Sequence, residues 1–396
     1  MKIGVYGGTF NPPHLGHITA ARAVFDLLQL DRLLLIPAGL PPHKEMPAGS
    51  PTPQQRLEMT RLAGEQTGLG SKVEILDMEL ARTGKSYTSD TLAALKQIYP
   101  DDELWLLMGT DMFLTLQAWH APEEILRLAG IAAFGRTEED SEELFSVQRE
   151  YLTKTYPGCR IFTLTIPGVV DVSSTEIRAE LAKGAGAELL APAVYGYILR
   201  HGLYGTGADL KKLPLEQLRP VALSYLKHKR IPHVLGTEQE AVRLAERYGA
   251  DVEKARVAAL LHDCTKRLSM EEQLALCHAY GIKLDELEQN ALKLLHSKTG
   301  AAIARDVFDV DDEIYHAIWY HTTGHAGMTL LEKIIYLADY IEPTRDFPGV
   351  DALREACYED LNKGLLMGLE MTIEEMTNMG NPVHHATIAA RDALKG

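Results

Sequence analysis

The chain has 396 residues, 46% of them hydrophobic, with 40 Lys and Arg against 55 Asp and Glu and a formal net charge of -15. That length exceeds what one hydrophobic core usually fills, so two domains are expected. The acidic balance lacks the clustered positive charge that sequence-independent nucleic-acid binding requires. Four cysteines (Cys159, Cys264, Cys277, Cys357) form no CxxC pair or framework spacing and read as thiols of a reducing compartment. The opening MKIGVYGG shows no basic leader or apolar signal core, and no apolar run reaches the roughly 18 residues that span a bilayer. A cytoplasmic protein with neither nucleic-acid nor membrane partner is expected.

Along the first half, short β-branched or leucine-rich runs alternate with helical patterns. Strands are predicted at KIGVY from Lys2, RLLLIP from Arg32, VEIL from Val73, LWLLMG from Leu104, IAAFG from Ile131 and RIFTL from Arg160. Between them lie amphipathic stretches such as HITAARAVFDLL and SPTPQQRLEMTRLAGEQ, the pattern of a doubly wound α/β fold with ligands at the carboxyl ends of its parallel strands. The polar stretch GTGADLKKLP reads as a linker. Beyond it helical periodicity recurs in EKARVAALLHDC, LDELEQNALKLLH and TLLEKIIYLADYI without a convincing strand. The expectation is a doubly wound parallel-sheet domain over residues 1–205, a linker at 206–212 and an all-helical domain over 213–396. Only His14, His17, His43 and His120 of the 15 histidines precede residue 200, so the halves are expected to differ in chemistry.

GGTFNPPHLGH, from Gly7, follows the first predicted strand directly, and a helix is expected to begin near Gly16. A side-chain-poor turn against a helix N-terminus favours phosphate, because free backbone N–H groups and the positive dipole end meet there. His14 and His17 sit three residues apart and face the same way. Two imidazoles make a poor metal site by themselves, but two donors at a helix start can stabilise charge on a phosphoryl group in transfer. In VSSTEIR, hydroxyls at a second helix start precede Arg178. This pattern serves as a phosphate cradle, as an ordinary capping box, or as both.

Four segments in order, GGTFNPPHLGH, PAGLPPHK, SYTSDTL and VSSTEIR, make residues 1 to about 205 resemble the HxGH nucleotidyltransferases, specifically the bacterial nicotinate-mononucleotide adenylyltransferases. The resemblance implies ATP binding by Gly8, Thr9, Phe10, His14, His17, Ser173, Ser174, Thr175 and Arg178, with His14, His17 and Arg178 catalytic. It implies that Pro42, His43 and Lys44 meet the mononucleotide, and that Thr88, Asp111 and Trp119 help bind it, Trp119 by stacking and the Thr88 region by taking the carboxylate. The family commonly has a second aromatic after that tryptophan, where this chain has His120. The implied reaction is attack of the mononucleotide 5′-phosphate on the α-phosphorus of ATP, with Mg²⁺ bridging the ATP phosphates and no protein nucleophile. Adenylyl or cytidylyl transfer to another phosphate is the rival reading.

LLHDCTK sets His262 and Asp263 side by side on an apolar helical pattern, where burial is costly unless the groups are paired or bind metal. His233, His296, His321 and Asp339 each lie on or beside a separate helical pattern, as inward-facing ligands of a helical bundle would. Mixed imidazole and carboxylate donors suit Fe, Mn, Zn or similar divalent ions. The set resembles the HD superfamily of metal-dependent phosphohydrolases, whose H…HD…D ligands fall on His233, His262, Asp263 and Asp339, with His296 and His321 like the subset holding a second metal. YHTTGHAGMTLLEKIIYLADYIEP, RDFPGVDALREAC and TIAARDAL resemble the YqeK family of symmetrical diadenosine tetraphosphate hydrolases, from about Leu213 onward.

That resemblance implies one or two divalent ions (Fe, Mn or similar), Asp263 as the catalytic group that orients water, and Lys266 and Arg345 holding substrate phosphates. His316, His325, His384 and His385 are expected to be surface or supporting residues. Two alternatives stay open for this half: hydrolysis of another nucleotide, or nucleotide sensing that regulates the transferase. The expected partners are ATP, nicotinate mononucleotide and diadenosine tetraphosphate or a related nucleotide, with homo-oligomerisation left open.

Overall fold

The computed structural model describes residues 1–40, 46–135, 142–166 and 172–395, which divide into two compact units, Met1–Gly207 and Ala208–Gly396. Pro42, His43 and Lys44 lie outside the described residues. Among the described residues, no helix is long and apolar enough to cross a membrane.

The first unit is a six-stranded parallel sheet: β1 (Lys2–Gly8), β2 (Arg32–Pro37), β3 (Val73–Ile75), β4 (Glu103–Gly109), β5 (Ala129–Gly135) and β6 (Ile161–Thr165), in the order β3-β2-β1-β4-β5-β6. Each predicted strand is present. β1 runs on through Gly7 and Gly8 because they pair with Ile36 and Pro37 of β2, a continuation that its apolar pattern does not signal. Helices α1 (Leu15–Leu27), α2 (Pro53–Glu65), α3 (Thr88–Ile98), α4 (Thr110–Leu114), α5 (Pro122–Leu128), α6 (Glu142–Thr155), α7 (Ser174–Leu181) and α8 (Pro192–Arg200) complete the unit.

The strands read as continuous apolar runs because both faces of the sheet are covered. Alternation sends Ile3, Val5, Leu34, Ile36, Leu106 and Met108 to one face, where Leu92 and Leu95 of α3, Ile125 of α5 and Phe145 of α6 pack. Tyr6, Leu33, Leu35, Leu107 and Phe134 go to the other, against Ala20, Ala21, Val24 and Phe25 of α1. The chain moves outward from β1 to β2 and β3, then returns to the far side of β1 as β4. Strand order therefore reverses between β1 and β4, which opens the crevice where doubly wound folds bind ligands.

The second unit is helical: α9 (Leu215–Leu223), α10 (Ile231–Tyr248), α11 (Val252–Leu261), α12 (Met270–Ala279), α13 (Leu292–Phe308), α14 (Asp312–Tyr320), α15 (Leu330–Ile341), α16 (Val350–Glu359), α17 (Leu361–Asn378) and α18 (His385–Lys395). Its described residues contain no strand. α10 packs on α11 and α15, α13 on α14, and α14 on α15. The buried stripe of α10 runs through His233, Gly236, Thr237, Ala241 and Leu244, so the helical period itself turns His233 inward. His296 lies likewise on the buried stripe of α13 with Leu295, Thr299 and Gly300.

One local expectation is corrected. The HD pair does not ride on a helix: α11 ends at Leu261, His262 is its C-cap and Asp263 occupies the following turn. The His262 Nδ1–H donates to the Ala259 carbonyl at 2.6 Å, satisfying an acceptor that the helix end would leave open.

Leu34, fully buried in the centre of the sheet, tests this packing. Leu34→Ala should destabilise the first unit by about 2–5 kcal/mol in denaturant unfolding, and a loss below that range would show that the sheet core collapses around the deletion.

Candidate functional site

At the switch point of the first unit lies a cavity of about 290 Å³, lined on one side by Gly7, Gly8, Thr9 and His17 and on the other by Tyr87, Thr88, Trp119 and His120. Gly8 and Thr9 lead out of β1, and Thr88 is the first residue of α3. Two helix N-termini, of α1 and α3, thus stand at this end of the sheet, and both offer N–H groups and positive dipole ends to anionic ligands.

The two histidines divide their work. His14 is the N-cap of α1, in extended conformation and buried, and is absent from the cavity lining. Its backbone N–H donates to His17 Nδ1 at 3.2 Å, so the N–H of the His17 ring is on Nε2. The rings lie against each other, with centroids 3.7 Å apart. The two rings are adjacent, as the three-residue spacing leads one to expect, but His17 lines the cavity while His14 lies buried behind it. Phe10 is buried, its φ of 45° in the left-handed region, and its ring packs edge-on against Tyr6 and His17. It shapes the loop from behind.

VSSTEIR acts on the same loop from outside. Ser173 caps α7 and exchanges bonds with Glu176, completing the capping box. Ser174 Oγ donates to the Pro12 carbonyl at 3.0 Å, while Arg178 donates to the Asn11 carbonyl at 2.7 Å and to Thr175 Oγ1 at 3.0 Å. Asp111 is exposed in the first turn of α4 and does not line the cavity.

Sequence reading missed three residues here. Arg56 on α2 is buried and donates to the carbonyls of Thr9, Ala38 and Gly39. Tyr204 donates to Asn11 Oδ1 at 2.7 Å. Glu79 lines the cavity and accepts from Thr91 Oγ1 at 2.7 Å, and burial raises its carboxyl pKa. The signal for Arg56 was available: it shares the buried face of α2 with Met59, Thr60 and Ala63, a charge on a core-facing stripe.

In the second unit all six expected ligands converge. His233 Nε2 lies 3.0 Å from Asp339 Oδ1 and 3.3 Å from His262 Nε2. His296 Nε2 lies 3.1 Å from His321 Nε2 and 3.2 Å from Asp263 Oδ1. The other oxygen of Asp263, Oδ2, is 3.6 Å from His262 and 3.8 Å from His233. Asp263 therefore spans two clusters, one of His233, His262 and Asp339, the other of His296 and His321.

The outward ring nitrogens fix the inward ones. His262 and His321 donate from Nδ1 to the carbonyls of Ala259 and Ile318, and His233 Nδ1 meets Glu342 Oε1 at 3.0 Å. Burial lowers the pKa of His262 and lowers those of His296 and His321 to about 4, so these rings are neutral near pH 7 and their Nε2 lone pairs point inward. Burial alone would raise the carboxyl pKa values, but His262 and His296 hold Asp263, and His233 and His262 hold Asp339, well below the carboxylate range. Lone pairs and carboxylates facing one another in a buried space repel unless a cation lies among them, so the donor set fits divalent metal.

Three cations border this cluster. Arg230 bonds Asp263 Oδ2, Arg345 donates to Asp339 Oδ1 at 2.8 Å, and Lys266 Nζ lies 2.9 Å from His296 Nε2, its pKa lowered by burial. Arg230 and Glu342 were not anticipated, although each falls one turn from a ligand: Arg230 before His233, and Glu342 after Asp339. Glu342 also accepts from the backbone N–H and hydroxyl of Thr344, both at 2.6 Å. A Cβ at Gly236 would come within 2.5 Å of its Oε2, so α10 needs glycine there to admit the carboxylate. His384, expected at the surface or in support, is buried and meets Glu288 Oε1 at 3.2 Å, away from the six ligands.

Two measurements test this centre. Glu342→Gln should weaken divalent-metal affinity about tenfold to a hundredfold by titration calorimetry, because the His233 ring loses its carboxylate acceptor; unchanged affinity would contradict that role. In metal-depleted protein, His296 and His321 protonate near 6.5 unfolded but near 4 folded. The unfolded chain then binds more protons between those values, so stability is full above 6.5 and should fall toward 4. A melting temperature flat across that window would refute it.

Residues 5–180 match the cytidylyltransferase-like family, and residues 230–344 match the HD domain. The chain is 40% identical over 213 residues to the "Probable nicotinate-nucleotide adenylyltransferase" of Pseudomonas syringae pv. tomato, a match covering 51% of this chain and 93% of that one. It is 39% identical over 217 residues to the protein of the same name from a Shewanella species, covering 52% and 99%. A solved Clostridium acetobutylicum structure, described as a predicted HD superfamily hydrolase involved in NAD metabolism, is 44% identical over 46% of this chain and 97% of its own, with a TM-score of 0.45. Through its first half the chain belongs to the nicotinate-nucleotide adenylyltransferase family, and its second half carries an HD domain.

Proposed function

We propose that the first unit transfers the adenylyl group of ATP to nicotinate mononucleotide, and that the second hydrolyses diadenosine tetraphosphate symmetrically. The transferase reading rests on family membership and on one cavity that joins the Gly8–Thr9 loop and His17 to Thr88 and Trp119. An oxygen of the mononucleotide 5′-phosphate attacks the α-phosphorus of ATP, the α–β phosphoanhydride bond breaks, and pyrophosphate leaves with its bonding electrons. His17, with its N–H on Nε2, donates to the charge that builds on the phosphoryl oxygens, and backbone N–H groups at the start of α1 share that task. ATP enters with Mg²⁺. Trp119 stacks on the pyridine ring, and its carboxylate meets the first turn of α3 at Thr88, which favours nicotinate over the uncharged amide. Arg178, Ser174 and Thr175 hold the loop, and Lys44 with Pro42 and His43 meets the mononucleotide phosphate.

His17→Ala should lower kcat for dinucleotide formation about a hundredfold to a thousandfold while metal-dependent hydrolysis by the same sample is unchanged. Dinucleotide formation at the wild-type rate would remove His17 from the mechanism.

The hydrolase reading rests on Asp263, whose Oδ2 faces His262 and His233 while its Oδ1 faces His296. His233, His262, Asp263, His296, His321 and Asp339 would hold one or two divalent ions, Fe, Mn or similar, which supply Lewis-acid polarisation of a phosphoryl oxygen and a water acidic enough to ionise at neutral pH. Asp263 orients that water by accepting its hydrogen bond. Arg230, Lys266 and Arg345 take the phosphate oxygens, and with water attacking a β-phosphorus, cleavage at the central bridge gives two ADP. Full-length protein should release ADP from diadenosine tetraphosphate, lose that activity to chelator and regain it with added metal. Asp263→Ala should abolish it. Metal-independent release would defeat the mechanism, and metal-dependent cleavage of other nucleotides alone would defeat the substrate.

A further inference from the structure

Arg56 is a buried arginine whose partners among the described residues are backbone carbonyls. Nη1 donates to Thr9 O at 2.9 Å and to Ala38 O at 2.7 Å, and Nη2 donates to Gly39 O at 3.3 Å. Thr9 belongs to the loop after β1. Ala38 and Gly39 open the segment after β2, which leads toward Lys44. One guanidinium thus joins the exits of two adjacent strands, at the crevice where the cavity lies.

Each exit is fixed from a second side. At the first, Arg178 and Tyr204 take the Asn11 carbonyl and side-chain oxygen, and Ser174 takes Pro12 O. At the second, the Gly39 carbonyl accepts from Arg56 while its Cα lies close against the Glu79 backbone. A Cβ on Gly39 would lie 2.4 Å from Glu79 O, so the segment approaches too closely for any larger residue. Lysine could not replace this fork, because its ammonium is a compact point charge while guanidinium offers planar, divergent N–H groups.

Burying a cation is costly unless its donors are used. Arg56 also sits in the second turn of α2, at the helix end where positive charge is disfavoured. In Arg56 that buried charge and planar geometry serve to join the two loop exits. A permanent positive charge behind Thr9 adds to the field that phosphate meets.

We propose that Arg56 is a positioning residue that holds the ATP loop and the mononucleotide loop in one register, so that its loss weakens both substrates together. This rests on the transferase reading above. The test is steady-state kinetics on full-length Arg56→Met, Arg56→Lys and Arg56→Ala, with methylguanidinium added to the last. Arg56→Met should raise KM for both ATP and nicotinate mononucleotide, and lower kcat/KM about tenfold to a hundredfold, as expected for losing buried charged hydrogen bonds. Arg56→Lys should recover less than half of that loss, and methylguanidinium should partly restore Arg56→Ala. Hydrogen exchange should quicken at the amides of residues 9–11 and 38–40 together.

Unchanged KM values in Arg56→Met, or a rise for one substrate alone, would overturn the coupling. Should Arg56→Met fail to fold, absence of methylguanidinium rescue in a folded Arg56→Ala sample would do the same. If the wild-type chain forms no dinucleotide, the transferase reading fails first, while the hydrogen-exchange comparison still reports whether Arg56 joins the loops.

Discussion

Helix ends govern both candidate sites. A helix leaves unpaired N–H groups at one terminus and unpaired carbonyls at the other, and each set must find a partner. In the first unit α1 and α3 begin beside the cavity, so their N–H groups and dipoles favour anions. In the second unit α11 and α14 end at His262 and His321, whose Nδ1 atoms take terminal carbonyls and whose Nε2 atoms turn inward. Those ends favour cations. Opposite ends of the same element thus favour anions at one candidate site and cations at the other.

The polar atoms around each site are held in place by further hydrogen bonds from neighbouring elements. Glu342 orients His233 and is itself anchored by Thr344, and Arg354 donates to the carbonyls of Ile341, Glu342 and Arg345, fixing the turn that follows Asp339. In the first unit Arg178 and Ser174 on α7, Arg56 on α2 and Tyr204 beyond α8 converge on one short loop. A reaction dominated by positioning needs such restraint, because reacting atoms misplaced by an ångström lose much of the rate.

The sheet and the helical unit were legible from period and composition, since Ile3 and Val5 alternate with Gly4 and His233 falls on the stripe of Val234, Thr237 and Ala241. The buried cluster of histidines and aspartates was legible because such groups set in apolar surroundings are costly without a partner. What stayed hidden depends on tertiary direction. Nothing local says that α11 stops at Leu261, that His14 turns behind His17, or that Asp111 lies outside the cavity. Arg56 was hidden for another reason: a charged residue on a helix reads as solvated until its stripe is compared residue by residue with the buried face, while Glu342, just past the end of α15, reads as an ordinary acidic turn residue.

The position of β1 also bears on how the chain is made. It lies centrally in the sheet, and its ladder with β4 pairs Lys2 with Glu103 and Val5 with Leu106. Half of the first unit must emerge before β1 gains its second neighbour, whereas α10 and α11 meet as soon as both are formed. Non-local parallel pairing folds slowly and local helical contacts fold fast. Closure of the sheet unit is therefore set by the long sequence separation between β1 and β4, a delay that the neighbouring helices of the second unit do not face.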